Sequence, residues 1–177
     1  EKDKGQYDSP TDVFWATGAC LMVRSSVYSR LGGLDERFFA HMEEIDLCWR
    51  MQLEGWKVTV VPSSTVYHVG GGTLPATSPF KLFLNYRNNL LMLGNNLAKT
   101  YALGLFHGGM DAYKAARKGM RKATRRIRMR MVLDGLSAAV YLVTFRFSCF
   151  KAVFKAHKEY RRMVTYSSLE QISEHIS

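Results

Sequence analysis

The sequence is poor in the features that most often give a short chain its function. Its three cysteines, Cys20, Cys48 and Cys149, are odd in number and widely spaced. That excludes a disulfide framework and a cysteine-based metal motif, and they read as buried thiols in a reducing compartment. There is no signal peptide, and residue 1 is Glu rather than Met, so the chain is expected to be a fragment. It has no internal repeat and no low-complexity tract. It also lacks an unbroken run of about 20 apolar residues, the length a membrane-spanning helix needs. The most apolar segment, Val132 to Phe154, is broken by Asp134, Arg146 and Lys151, so it reads as an interfacial or packed helix. Acids are scarce in the middle of the chain, and bases concentrate between Lys99 and Arg162. With a net charge of +10, this asymmetry calls for a negatively charged partner. No DNA- or RNA-binding motif is present, so an anionic membrane surface is expected and nucleic acid is not. A solvated basic face is the plainer alternative.

What is present suits one domain with a sizeable core, since 177 residues carry 47% hydrophobic content. Glu1 to Thr11 reads as a polar loop. Asp12 to Arg24 ends in an apolar run expected to be a buried strand, and Thr17-Gly18-Ala19 allows close backbone approach at its start. Ser25 is placed to cap a short helix, Ser26 to Leu31, stopped by Gly32-Gly33. Met42 to Leu53 is predicted to be a wide-faced, largely buried helix with Gly55 just past its end. Strands are predicted at Trp56 to Val61, ended by Pro62, and at Thr65 to Val69, ended by Gly70-Gly71-Gly72. Pro75 and Pro79 mark a linker, which divides the chain into 1–74 and 75–177. Beyond it, Phe80 to Leu97 and the basic stretch Met110 to Met131 are predicted helices. The tail after Thr165 is expected to fray.

The chemistry concentrates in FFAHMEEIDLCWRMQLEGW, Phe38 to Trp56. Glu43, Glu44 and Asp46 fall in the first turns of a helix, where free N–H groups and the dipole keep carboxylates ionised. An ionised carboxylate there can accept a proton from a hydroxyl nucleophile. Acids in a first turn also stabilise helices without any chemistry. Asp46 and Arg50 stand at i, i+4 and read as a structural pair. His68, before three glycines, could ligate a divalent metal or simply bond a neighbour. Trp15 suits stacking against a sugar ring or plain core packing.

The order of these elements is more specific than any one of them. The run TGACLMVRSSVYSRLGGLDERFFAHMEEIDLCWRMQLEGWKVTVVPSSTVYHVGGGT, Thr17 to Thr73, resembles the C-terminal half of the catalytic domain of glycosyltransferase family 2. The likeness is strongest to its rhamnosyltransferase and galactofuranosyltransferase-like branch. A small-residue GA and an apolar strand ending in Arg come first. GG-L-D-E-x-F-F, an acid pair, D-L-C-x-R, G-W, a strand to Pro, and H-x-G-G follow. The run covers about a third of the chain.

The resemblance implies an α/β fold, the C-terminal half of a GT-A domain followed by a helical extension. It implies an inverting transfer from a nucleotide-sugar donor to a glycan or lipid-linked acceptor in bacterial surface polysaccharide synthesis. Glu44 takes the place of the catalytic base, where the family usually has Asp. Glu43, Trp15, Gly18 and Ala19 fall on the acceptor side. His68 falls on a metal ligand, with Mg2+ or Mn2+ as the cofactor. The expected location is cytoplasmic, at the inner face of the cytoplasmic membrane. No Asp-x-Asp or Asp-Asp donor motif is present, so the isolated chain is expected to be inactive. A non-enzymatic, basic membrane-surface adaptor is the alternative.

Overall fold

A computed structural model describes residues 4–69, 75 and 78–177. Its elements run β1 (Thr11–Val13), α1 (Ser25–Arg30), a 3-10 turn (Glu36–Phe38), α2 (Glu43–Leu53), β2 (Val58–Val60), α3 (Pro79–His107), α4 (Ala112–Val143), α5 (Phe147–Met163) and α6 (Leu169–Ile176). β1 and β2 pair antiparallel, with Asp12 opposite Thr59. The architecture is therefore mostly helical with a two-stranded sheet, and it holds less sheet than the α/β expectation.

The strand predicted over Trp56 to Val61 forms as β2, Val58–Val60, while the other two strand predictions fall short for a common reason. A strand needs a neighbour to satisfy its backbone groups, and local sequence does not supply one. Leu21 to Arg24 has the strand texture: Leu21 and Val23 pack on Val27, Leu47 and Met51, while Met22 between them is 98% exposed. It forms no ladder, so the buried strand expected over Asp12–Arg24 shrinks to β1. Thr65 to Val69 likewise forms no strand. The predicted Gly70-Gly71-Gly72 loop and Leu74, at the predicted boundary, lie outside the described residues. Two smaller corrections follow: Arg24, not Ser25, precedes α1, and Cys20 is exposed while Cys48 and Cys149 are buried.

The helices beyond the boundary are longer than predicted, and they carry most of the core. The basic stretch and the first part of the apolar one form a single helix, α4, which turns at Thr144–Arg146 into α5. α3 and α4 cross closely at a seam of small residues, Ala102, Ala115 and Ala116. A Cβ added to Gly119 would lie 2.7 Å from the Ala98 carbonyl oxygen and the Ala102 nitrogen, so glycine is required there. The tail does not fray. Ser168 and Gln171 form a reciprocal capping box, and Ile172 and Ile176 bury against Ala102, Ala115 and Ala116.

The segment before α2 is built into this helical core. Phe38 is fully buried with Leu90 and Leu91 of α3, Ile127 of α4 and Tyr160 of α5. None of the described helices is long and apolar enough to cross a membrane.

Candidate functional site

Glu43 and Glu44 open α2, which starts from an unusual backbone. Phe39, His41 and Met42 have φ of 63°, 71° and 74°. Bulky side chains avoid this region, and each such residue costs about 1–3 kcal/mol unless its surroundings over-determine it. The surroundings here are two neighbouring side chains of α3. Asn88 Nδ2 donates to the carbonyl oxygens of Phe38, Ala40 and His41 at 2.7–3.0 Å. Arg87 donates to those of Arg37 and Phe38 at 3.1 and 2.8 Å, and its Nε donates to Asn88 Oδ1. Burial pushes the Arg87 guanidinium below its usual range. Strain immediately before the acid pair is thus held by a clamp from an element far along the chain.

This clamp gives a prediction. Asn88→Ala leaves buried carbonyls unpaired and should cost about 1–3 kcal/mol. Amide hydrogen exchange over residues 38–43 should quicken more than exchange in α5. Equal acceleration in both would mean that Asn88 serves general stability only.

The loop after β1 lies antiparallel along one face of α2. Gln52 Nε2 donates to the Phe14 carbonyl at 2.5 Å, and the Phe14 ring meets Trp49 edge-on at 5.5 Å. The Ala16 backbone bonds Cys48, whose thiol burial pushes above its usual range. A turn further on, a Cβ placed on Gly18 would lie 3.8–4.0 Å from the Glu44 side chain. Gln52, Cys48 and Glu44 share this face by their four-residue spacing. The structure therefore brings Gly18 and Glu44 together. An open cleft of about 420 Å³, lined by Gly18, Leu21, Val23, Tyr28 and Leu34 among others, adjoins them.

Three polar atoms in the stretch His41–Glu44 are unspent. Nε2 of His41, Oε2 of Glu43 and Oε2 of Glu44 are shut off from solvent and have no hydrogen-bond partner among the described residues. Buried polar atoms are nearly always paired, and a catalytic role is one of the explanations an exception admits, beside stored strain and a bound water or ion. His41 was not singled out from sequence. Its position two residues before the acid pair was the available signal.

The other predicted site residues separate. Trp15 is 45% exposed, so it is not core, and Ala19 is exposed beside it on the same loop. His68 is exposed on the extended segment after β2. Among the described residues no three His, Cys, Asp or Glu side chains gather in a way that could hold a metal. His68 alone is not a complete donor set for a divalent metal.

Asp46 is committed to structure. It is wholly buried and accepts from Arg50 Nε at 2.7 Å, Asn96 Nδ2 at 2.8 Å and Asn95 Nδ2 at 3.0 Å. Arg50 also donates to the Leu31 and Gly33 carbonyls, at 2.7 and 2.8 Å. Asn95 continues the network to Arg37, which grips Asp35. Burial pushes the Asp35 carboxyl up, but the Arg37 hydrogen bonds outweigh it and hold the group below the usual range.

Relatives of known activity share part of this chain. An N-acetylglucosaminyl-diphospho-decaprenol L-rhamnosyltransferase of Mycobacterium tuberculosis is 45% identical over 60 residues, which is 34% of this chain and 20% of the relative. Rhamnosyltransferase WbbL of Escherichia coli K12 is 38% identical over 60 residues, 34% of this chain and 23% of WbbL. Over about a third of its length the chain is similar to the rhamnosyltransferase-like branch of glycosyltransferase family 2. A low-salt glycan biosynthesis hexosyltransferase, Agl10 of Haloferax volcanii, is 28% identical over 88 residues, 48% of this chain and 28% of Agl10. The matched segment thus spans between a fifth and three-tenths of each relative's length. No family model and no solved structure matches the chain.

Proposed function

We propose that this chain forms the acceptor side of an inverting glycosyltransferase of GT-A type, with α3 to α6 as a helical extension that rests on an anionic membrane surface. The donor is a nucleotide sugar and the acceptor a glycan or lipid-linked glycan of surface polysaccharide synthesis, at the inner face of the cytoplasmic membrane. The observation that carries the reading is Glu44, whose side-chain carbons lie beside Gly18 and whose buried Oε2 has no hydrogen-bond partner among the described residues, at the start of a helix whose preceding backbone is strained.

In this reading Glu44 accepts the proton of the acceptor hydroxyl. The freed oxygen attacks the anomeric carbon from the face opposite the nucleoside diphosphate. The new C–O bond forms as the bond to the diphosphate breaks, and the diphosphate leaves with the electron pair. Glu43 and His41 flank the hydroxyl, and the exposed Trp15 offers its ring to the acceptor sugar.

Product stereochemistry tests this reading in the full-length enzyme. The glycosidic bond, read by NMR coupling at the anomeric carbon, should have the configuration opposite to the donor's. Retention of configuration would rule out a single displacement with Glu44 as base.

A further inference from the structure

α4 carries one outward stripe that changes character along its length. Arg121, Arg125 and Arg128 line a groove with Met129 and Val132. The same face continues through Leu136, Val140 and Val143, at spacings of three and four residues. Val132, Leu136 and Val140 are each about 60% exposed, and Val143 is 76% exposed. The stripe ends at the turn into α5. There Phe145, at φ 56° and 79% exposed, meets Phe147 edge-on at 6.2 Å. From Met129 to Val143 the apolar part runs about 21 Å, too short to span a bilayer.

We infer that this stripe is a membrane-docking edge: Phe145 and Phe147 enter the acyl boundary of an anionic bilayer, and Arg121, Arg125 and Arg128 hold its headgroup phosphates. The charge pattern selects this occupant. Between residues 112 and 158 the sequence has one acid, Asp134, and it is turned inward. Asp134 is 2% exposed, with Arg130 Nε at 2.8 Å and His157 Nε2 at 3.2 Å. The docking face therefore presents bases and apolar groups without an exposed acid from this helix. A second copy docking through the same stripe in parallel would set these arginines against each other. An amphipathic helix with an apolar face, aromatic end groups and arginines is built to lie in an anionic interface. The inference deepens the proposal of a lipid-linked acceptor and rests on it, but its test measures no sugar transfer.

The full chain is sedimented with vesicles of equal parts phosphatidylglycerol and phosphatidylcholine, and with phosphatidylcholine alone. Binding should require phosphatidylglycerol. Each lost base should weaken it about fivefold, so R121Q/R125Q/R128Q should lose on the order of a hundredfold. F145S/F147S should lose more than about tenfold, and the loss should persist in salt that screens the arginines. Both variants alter exposed residues, and unchanged thermal melting would confirm that they fold. Binding of F145S/F147S at the level of the unaltered chain would overturn the inference. So would absence of phosphatidylglycerol-dependent binding by the unaltered chain, which would remove the membrane contact from the proposed function and leave its sugar transfer untouched. A lipid-free dimer abolished by Leu136→Glu would assign the stripe to a second copy and overturn it as well.

Discussion

Glu44→Gln should slow sugar transfer by about two to four orders of magnitude in the full-length enzyme, the usual worth of a positioned general base. The amide is nearly the same size as the carboxylate and cannot accept the proton. Glu44 Oε2 has no hydrogen-bond partner among the described residues to lose, so folding should be preserved. The expected signature is a fall in kcat with little change in KM, because the group acts on the reacting hydroxyl. Glu44→Asp is informative in the other direction. It restores the residue the family usually has, but shortens the side chain by one methylene from a backbone already fixed by Asn88 and Arg87. Part of the activity should survive. Turnover by Glu44→Gln within a factor of a few of the unaltered enzyme would remove Glu44 from the mechanism and turn attention to Glu43.

Asp46→Ala should produce the largest loss of stability, about 3–5 kcal/mol, measured by urea unfolding. The side chain is fully buried, and Arg50 beside it is only 19% exposed. Removing the carboxylate strands a half-buried guanidinium and two asparagine amides, while restoring none of them to water. Small domains hold only about 5–15 kcal/mol in total, so the variant should be measurably unfolded at warm temperatures. Asp46→Asn keeps one acceptor oxygen and should lose less. A cost below about 1 kcal/mol for Asp46→Ala would mean that water reaches Arg50 freely. Glu44→Gln and Asp46→Ala together separate the roles of two acids two residues apart: one changes rate without stability, the other stability first.

Asp46 also shows where sequence reading stops. Its pairing with Arg50 follows from a four-residue spacing, and that much was legible. Its bonds to Asn95 and Asn96 join positions about 50 residues apart, and no local pattern announces them. The same division runs through the site. Gly18 and Glu44 lie side by side across 26 residues of sequence, a proximity that no local spacing announces. His41 and Asn88 were missed because their roles depend on backbone conformation and on burial. Thr65 to Val69 has the texture of a strand without forming one, because alternation marks a surface suited to pairing while pairing itself needs a second chain segment. The capping box at Ser168 and Gln171, by contrast, is legible in its three-residue spacing. The long α4 was divided because its composition changes midway, though helical hydrogen bonding takes no notice of that change.

The tie between Asp46 and Asn96 has a consequence in time as well as in space. A chain leaves the ribosome from its N-terminus, at about 5–20 residues per second. α2 is synthesised well before α3, yet the groups that satisfy Asp46 and hold the Phe38–His41 carbonyls arrive only with residues 87–96. Until then the acid helix has a buried charge half-satisfied and a strained backbone unsupported. The proposed base should therefore reach its working position late in folding, after α3 has docked, however early its own helix can form.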